Sequence, residues 1–146
     1  MRTKLGPADL GDLLESLNLA ILATHRQDGT TLLSPVWYIW EDGGFTVGVD
    51  AGDIKLRHIA RDPRVSIVVC ERELPYRGFE VRGPARIADE PFPPAMRRIG
   101  RRYLGPAVDP FYPDGIKGSI IRIEPGETRG WDFVDDLIAM GVFEPS

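Results

Sequence analysis

The chain offers few side chains that could carry a reaction unaided. Of its 146 residues two are histidines, His25 and His58, and one is a cysteine, Cys70. A nucleophile–histidine–acid triad needs one of those imidazoles beside a serine or Cys70, and no nucleophile-elbow pattern occurs. Two scattered histidines do not make a metal site. Cys70 stands among valines in a short β-branched run and reads as a packing residue rather than a reactive thiol. Asp135-Asp136, near the end of the chain, read as solvent-facing. No residue is therefore assigned as catalytic, and reaction chemistry falls to a cofactor.

Three stretches could bind something. Asp53-Ile54-Lys55-Leu56-Arg57-His58 places cations in the first turn of a predicted helix, where the dipole opposes them by about 0.3–1 kcal/mol. That placement makes sense if an anion sits there, because free N–H groups and basic side chains then add. Its plain alternative is two solvated side chains at an ordinary helix start. Ser34-Pro35-Val36-Trp37-Tyr38 is a strand with a proline, two large aromatics and a hydroxyl. Proline withholds one ladder bond and frees neighbouring backbone to face a ligand, and a flat conjugated ring could pack on Trp37. An edge strand whose aromatics fill a core or a dimer seam accounts for it equally well. Arg97, Arg98, Arg101 and Arg102 form a basic helix face, read here as solvated and balanced by Asp89 and Glu90.

The elements that position these stretches are short. Sixteen glycines and thirteen prolines punctuate the chain, which disfavours an all-α bundle. Ala8–Leu17 reads as a helix with Leu10, Leu13, Leu14 and Leu17 on one face. Leu19–Thr24 and Leu32–Trp40 flank Asp28-Gly29, and Glu41–Gly44 leads into Phe45–Asp50, predicting a three-stranded meander. Asp53 caps a helix facing the core with Ile54, Leu56, Ile59 and Ala60, stopped by Asp62-Pro63. Strands over 65–70 and 78–87 follow, the second with Pro84 at an edge or bulge. Next come a helix from Pro91 to Leu104 with Met96, Ile99 and Tyr103 as its stripe, a loop over 105–115, and strands at 119–123 and 128–134. Six or seven strands with two or three short helices predict one mainly β (α+β) domain spanning 1–146, a small closed barrel rather than a dinucleotide fold.

Composition narrows the partners. Fifteen arginines and three lysines are outweighed by acids, for a net charge of −4, so nucleic acid is not an expected partner. No apolar run is long enough to span a membrane and no signal stretch opens the chain. It reads as a cytoplasmic protein.

The order of motifs resembles a known family. Leu22-Ala23-Thr24 with Asp28-Gly29 and Ser34-Pro35-Val36-Trp37-Tyr38 is similar to the first hairpin of the pyridoxamine 5′-phosphate oxidase-like split β-barrels. Lys55-Leu56-Arg57-His58-Ile59-Ala60-Arg61-Asp62-Pro63-Arg64-Val65-Ser66 resembles that family's helix-to-strand corner. Phe79–Ala85 and Arg129–Phe133 match its later strands. The resemblance, from Leu10 to Phe133, implies a homodimer of six-stranded, FMN-binding-like split barrels with two flavin-type sites at the subunit interface. The Pro-Val-Trp-Tyr and Trp-Asp-Phe segments are most similar to the deazaflavin branch. They imply an oxidoreductase that uses coenzyme F420 to transfer hydride to a small conjugated acceptor; FMN, or a non-catalytic flavin or haem carrier, are the alternatives. Carried over residue by residue, Lys55 and Arg57 would hold the cofactor's phosphate and acidic tail. Ser34, Pro35, Val36 and Trp37 would line its ring, with Val49 on the neighbouring strand. His58 stands where an asparagine is common. The family's extended C-terminal segment for binding pyridoxamine phosphate is absent, so that activity is not expected.

Overall fold

The computed structural model describes residues 1–144. Its strands are β1 (Ala20–His25), β2 (Thr31–Val36), β3 (Ile39–Glu41), β4 (Gly44–Asp50), β5 (Arg64–Cys70), β6 (Gly78–Ile87), β7 (Gly118–Ile123) and β8 (Glu127–Trp131). Three short helices, α1 (Ile54–Arg61), α2 (Phe92–Leu104) and α3 (Val134–Ala139), complete the regular structure. The strands pair in the order β2-β1-β5-β6-β7-β4-β3, with β8 on β6, and every pairing is antiparallel.

The two ends of that order, β2 and β3, are neighbours in the chain, separated only by Trp37 and Tyr38. The sheet therefore curls into a split barrel. With β2 and β3 taken as one interrupted run, and β8 as an addition outside the path, the wall has the expected six strands. The predicted meander is corrected on this point. β2 pairs with β1, whereas β3 pairs with β4, and the run changes partner at Tyr38. There the backbone bonds to α2 instead of a strand: Tyr38 N–H donates to Tyr103 Oη at 3.2 Å, and Tyr38 C=O accepts from Arg102. Asp42 and Gly43, both at positive φ, make the tight β3–β4 turn as that hairpin type requires. β6 also changes partner, from β8 over 78–82 to β7 over 85–87. Between the two lies Gly83, where a Cβ would stand 2.7 Å from the Glu124 carbonyl oxygen; the adjacent Pro84, as expected, lies at this irregularity.

The barrel core is apolar, with Leu22, Val47, Ile67, Val81 and Ile121 fully buried around Tyr38, Phe45 and Phe79. Trp40 meets both phenylalanine rings edge-on. Burial pushes the Tyr38 phenol up to about 12, and its hydroxyl donates to Leu14 C=O at 3.1 Å. A smaller cluster of Phe92, Ala95, Met96, Ile99 and Ile120 seats α2 on the sheet.

Several local readings need correction. The Ala8–Leu17 segment is a single 3₁₀ turn, Pro7–Leu10, followed by turns. Gly11 at φ 59° ends it. Leu10, Leu13 and Leu14 are nonetheless buried, while Leu17 is 62% exposed. On α1, Ile59 is buried and Leu56 half-buried, but Ile54 and Ala60 are exposed and His58 takes an inward position. Part of the 105–115 loop is a 3₁₀ turn, Gly105–Phe111. The last strand stops at Trp131, and α3, which alternation did not predict, follows it. Asp135 and Asp136 lie in its first turn, where the dipole favours acids, and they pair with Arg2 and the Met1 amino group. Cys70 ends β5 and is exposed rather than packed. The basic face of α2 is structural: Arg97 meets Asp114, Arg98 meets Glu41 and Glu90, and Arg101 meets Asp109. Glu90 is among the expected acids; Asp89 has no such role.

Candidate functional site

A cavity of about 340 Å³ opens where the β2 run breaks away from the sheet. Pro35, Val36 and Trp37 form one wall, Gly48, Val49 and Asp50 of β4 the next, and Asp53 and Lys55 of α1 a third. Met96 of α2 and Tyr112, from the loop beyond it, complete the lining. Five of the seven residues assigned to a cofactor from sequence, Pro35, Val36, Trp37, Val49 and Lys55, thus meet in one place. Ser34 and Arg57 do not line it. Ser34 is half-buried on β2 opposite Leu22. Arg57 is exposed on α1 and makes no ion pair among the described residues.

Each wall has a physical cause. Pro35 has no N–H to give, and the chain after Val36 leaves the β1 ladder. Trp37 is half-buried, its indole stacked on Tyr103 at 5.1 Å and 8°. One face of the ring is therefore already occupied by protein. Gly48 sits mid-strand because a Cβ there would fall 2.2 Å from Met96 Sδ; the thioether fills the volume that a side chain on β4 would have taken. Tyr112 is anchored by its backbone. Its N–H donates to Asp109 C=O at 3.1 Å, and its C=O accepts from Arg97 Nη1 at 2.6 Å.

The α1 end of the cavity is the charged end. Asp53 is the expected N-cap: Oδ1 accepts from Lys55 N–H at 2.9 Å. Its other oxygen holds Lys55 Nζ at 3.0 Å, and the lysine side chain is only 12% exposed. The lysine that seemed to oppose the helix dipole is thus neutralised by the cap of its own helix. With Asp50 also present, the lining carries two carboxylates and one ammonium. Burial and the Asp50 carboxylate both hold the Tyr112 phenol above its ordinary pKa.

Beneath α1, His58 Nδ1 lies 2.9 Å from Thr24 Oγ1. Burial, and then Arg61 and Arg26, press its pKa below the ordinary histidine value. It faces Thr24 rather than the cavity. Among the described residues no group of three or more His, Cys, Asp or Glu side chains is placed to hold a metal ion. A second, larger cavity of about 610 Å³ lies by His25, Ser66, Arg64 and Arg82. Both arginines there are already paired, with Asp62 at 2.8 Å and Glu127 at 2.6 Å, and no aromatic wall is present.

Gly48, Asp50, Met96 and Tyr112 were not assigned to a site from the sequence, and Met96 was read only as part of the apolar stripe of α2. Only Gly48 carried a signal, a glycine within a cleanly alternating strand, which marks close approach.

The sequence profile of the pyridoxamine 5′-phosphate oxidase family matches residues 7–132. No curated protein matches the chain. Solved structures do. The conserved hypothetical protein Rv2991 from Mycobacterium tuberculosis is 30% identical over 97% of this chain and 91% of its own, with a TM-score of 0.75. A structure described as an F420 reductase is 29% identical over 84% of this chain and 98% of its own, at 0.73. A FAD-binding protein from Mesorhizobium loti shares the fold at 21% identity and 0.64, over 88% of this chain and 95% of its own.

Proposed function

The chain belongs to the pyridoxamine 5′-phosphate oxidase family, and we propose that it is an oxidoreductase that uses coenzyme F420 to pass hydride to a small conjugated acceptor. The observation that carries this reading is the convergence of Pro35, Val36, Trp37, Val49 and Lys55 on one cavity. The residues present fit a flavin-type group: an apolar wall for a flat ring, and an ammonium at a helix start for a phosphate. Similarity to the F420 reductase supports the deazaflavin.

When bound, the cofactor supplies the hydride; the chain supplies position and environment. Pro35, Val36 and Trp37 present the ring-binding surface, fixed by the Trp37–Tyr103 stack. Val49 and Met96 keep water from the adjoining floor. Lys55 takes the phosphate, and the exposed Arg57, outside the lining, reaches the acidic tail, while Ser34 supports the ring strand from its place beside Pro35 rather than from the lining. Orientation and exclusion of water are large contributions to rate and need no protein nucleophile. A second reading, FMN in the same cavity, is favoured by the Asp53–Lys55 pair, which leaves little net positive charge for a long acidic tail.

A second copy of the chain covers the outer face of β1, β2 and β5 in this proposal. Leu19, Ile21, Leu33 and Pro35 are exposed there, and Ile21 pairs with both Pro35 and Val68. That apolar face runs directly into the cavity through Pro35, as a homodimer with interfacial sites would require. Residues 1–146 act as one cofactor-binding domain in the cytoplasm; no helix of the described residues is long and apolar enough to cross a membrane.

The test is direct titration of the purified protein with F420 and with FMN, followed by turnover with enones, quinones and tetrapyrroles. Saturable F420 binding with enone or quinone reduction is expected. Binding of neither cofactor overturns the proposal, tight FMN binding selects the second reading, and binding without turnover of any acceptor leaves a carrier.

A further inference from the structure

We propose that the Tyr112 hydroxyl is the hydrogen-bond donor that receives the anionic oxygen of a conjugated carbonyl acceptor in the Trp37 cavity. The inference rests on the oxidoreductase reading above and names the group that takes up the acceptor's developing charge.

Three side chains on the cavity wall can donate a hydrogen bond: Trp37, Lys55 and Tyr112. Lys55 is held by Asp53 at the α1 end. Trp37 is fixed in plane against Tyr103 and serves as wall. Tyr112 is the one hydroxyl among them. Unlike Lys55 it has no partner: its hydroxyl makes no hydrogen bond among the described residues, yet everything else about it is anchored. Its backbone is tied to Asp109 and Arg97, Arg97 is steadied in turn by Asp114 at 3.3 Å, and its ring meets Phe92 edge-on at 6.0 Å and 77°. A fixed donor with no protein acceptor is what electrostatic preorganisation requires, because nothing has to reorganise when charge appears. Desolvation and Asp50 also keep the phenol protonated, so it remains a donor across the neutral range; the same Asp50 carboxylate opposes negative charge there, and the hydrogen bond from Tyr112 has to outweigh that repulsion.

The electron count is simple. A reduced 5-deazaflavin, when bound, would supply the hydride that forms a C–H bond at the β-carbon of an enone. The C=C π pair moves to become the enolate, and the negative charge settles on the carbonyl oxygen. Tyr112 O–H holds that oxygen, and a proton from solvent at the α-carbon completes the saturated ketone. The cofactor is oxidised by two electrons and the enone reduced by two. Flat acceptors that develop an oxyanion are therefore favoured over those that do not.

The experiment compares the full chain with Tyr112→Phe, which keeps the ring and its Phe92 contact. With reduced F420, reduction of 2-cyclohexen-1-one is expected to fall about 100-fold in the variant, the usual effect of losing one such donor, with methylene blue reduction within about twofold. Methylene blue is a cation that becomes neutral on taking up hydride, so it needs no oxyanion donor. A second readout requires no turnover: cofactor-free protein is titrated with 4-nitrophenolate, a flat ring bearing an anionic oxygen. Its affinity is expected to weaken about tenfold in the variant. Equal 4-nitrophenolate affinity in the two proteins overturns the assignment, as does equal slowing of both acceptors, which would reveal a merely structural tyrosine. If the unaltered protein reduces neither acceptor while the 4-nitrophenolate difference persists, the oxidoreductase reading fails and the donor role stands.

Discussion

Replacing Asp53 by asparagine should weaken the fold slightly and strengthen cofactor binding. Asp53 does two things: it caps α1 through Lys55 N–H, and it holds Lys55 Nζ at 3.0 Å. Asparagine caps about as well as aspartate, so the stability lost is that of a partly screened ion pair, no more than about 1 kcal/mol. For a chain of this size that lowers the melting temperature by about 2–4 °C. Binding should move the other way. A phosphate docked on Lys55 would sit roughly 5 Å from the Asp53 carboxylate, a repulsion of about 1 kcal/mol at water's dielectric constant and about 3 kcal/mol at an effective value near 20. Removing the charge should tighten FMN and F420 by about 5–150-fold. Fluorescence titration of both proteins with FMN and with riboflavin isolates the cause, because riboflavin lacks only the phosphate. The gain should appear with FMN alone and shrink with added salt. Equal FMN affinity in the two proteins, or an equal gain with riboflavin, refutes a phosphate on Lys55.

Three further outcomes follow from the same geometry. Trp37→Ala removes a half-buried indole stacked on Tyr103 and should cost about 2–3 kcal/mol in cofactor-free melts while also weakening cofactor titrations; an unchanged melting temperature would show that the stack contributes nothing. Leu33, 64% exposed on the outer sheet face, should block self-association when changed to arginine, read by sedimentation; a wild-type protein that is monomeric at micromolar concentration removes the second copy from the argument. His58 is held neutral by burial, with Arg61, Arg26 and Lys55 also opposing its charge and Asp53 favouring it. Because its pKa is lowered on folding, the stability it contributes is complete above the ordinary value of 6.5 and is lost as pH falls through the folded-state value. Melts across about pH 5–8, the range in which histidine titrates, should show this slope, and His58→Gln should flatten it.

How much was legible depended on how local the signal was. Asp42-Gly43 and Asp28-Gly29 fixed two hairpins because turn chemistry is written in adjacent residues. Asp53 announced the start of α1 for the same reason. What alternation could not express was the break at Tyr38, since the groups that satisfy its backbone, Tyr103 and Arg102, lie more than sixty residues away. The 3.6-residue spacing of Leu10, Leu13 and Leu14 correctly marked buried positions, but burial does not require a helix, and Gly11 ended one. In the site, the strand Pro35–Trp37 and the helix start were visible as motifs. Met96 and Tyr112 were not, because their relation to β2 and β4 is made only by the packing of α2.

The net charge of the cavity limits how an anionic cofactor can bind. From the sequence, Lys55 and Arg57 at a helix start were either a cationic pair facing an anion or two solvated side chains, and the structure divides them. Lys55 has an anion, Asp53, and Arg57 is exposed outside the lining. An incoming phosphate must then either share Lys55 with Asp53 or draw Arg57 inward, and the first course opposes two like charges beside a single helix end. If the cofactor binds as proposed, the Asp53 ion pair and the cofactor phosphate compete for one ammonium group, while the cap through Lys55 N–H is untouched. The competition has a measurable sign: a substitution that tightens the Asp53–Lys55 pair should stabilise the free protein and loosen the bound cofactor, and one that weakens the pair should do the reverse. If affinity and apo-stability instead rise or fall together across such variants, the phosphate sits elsewhere, and Arg57 rather than Lys55 would hold it.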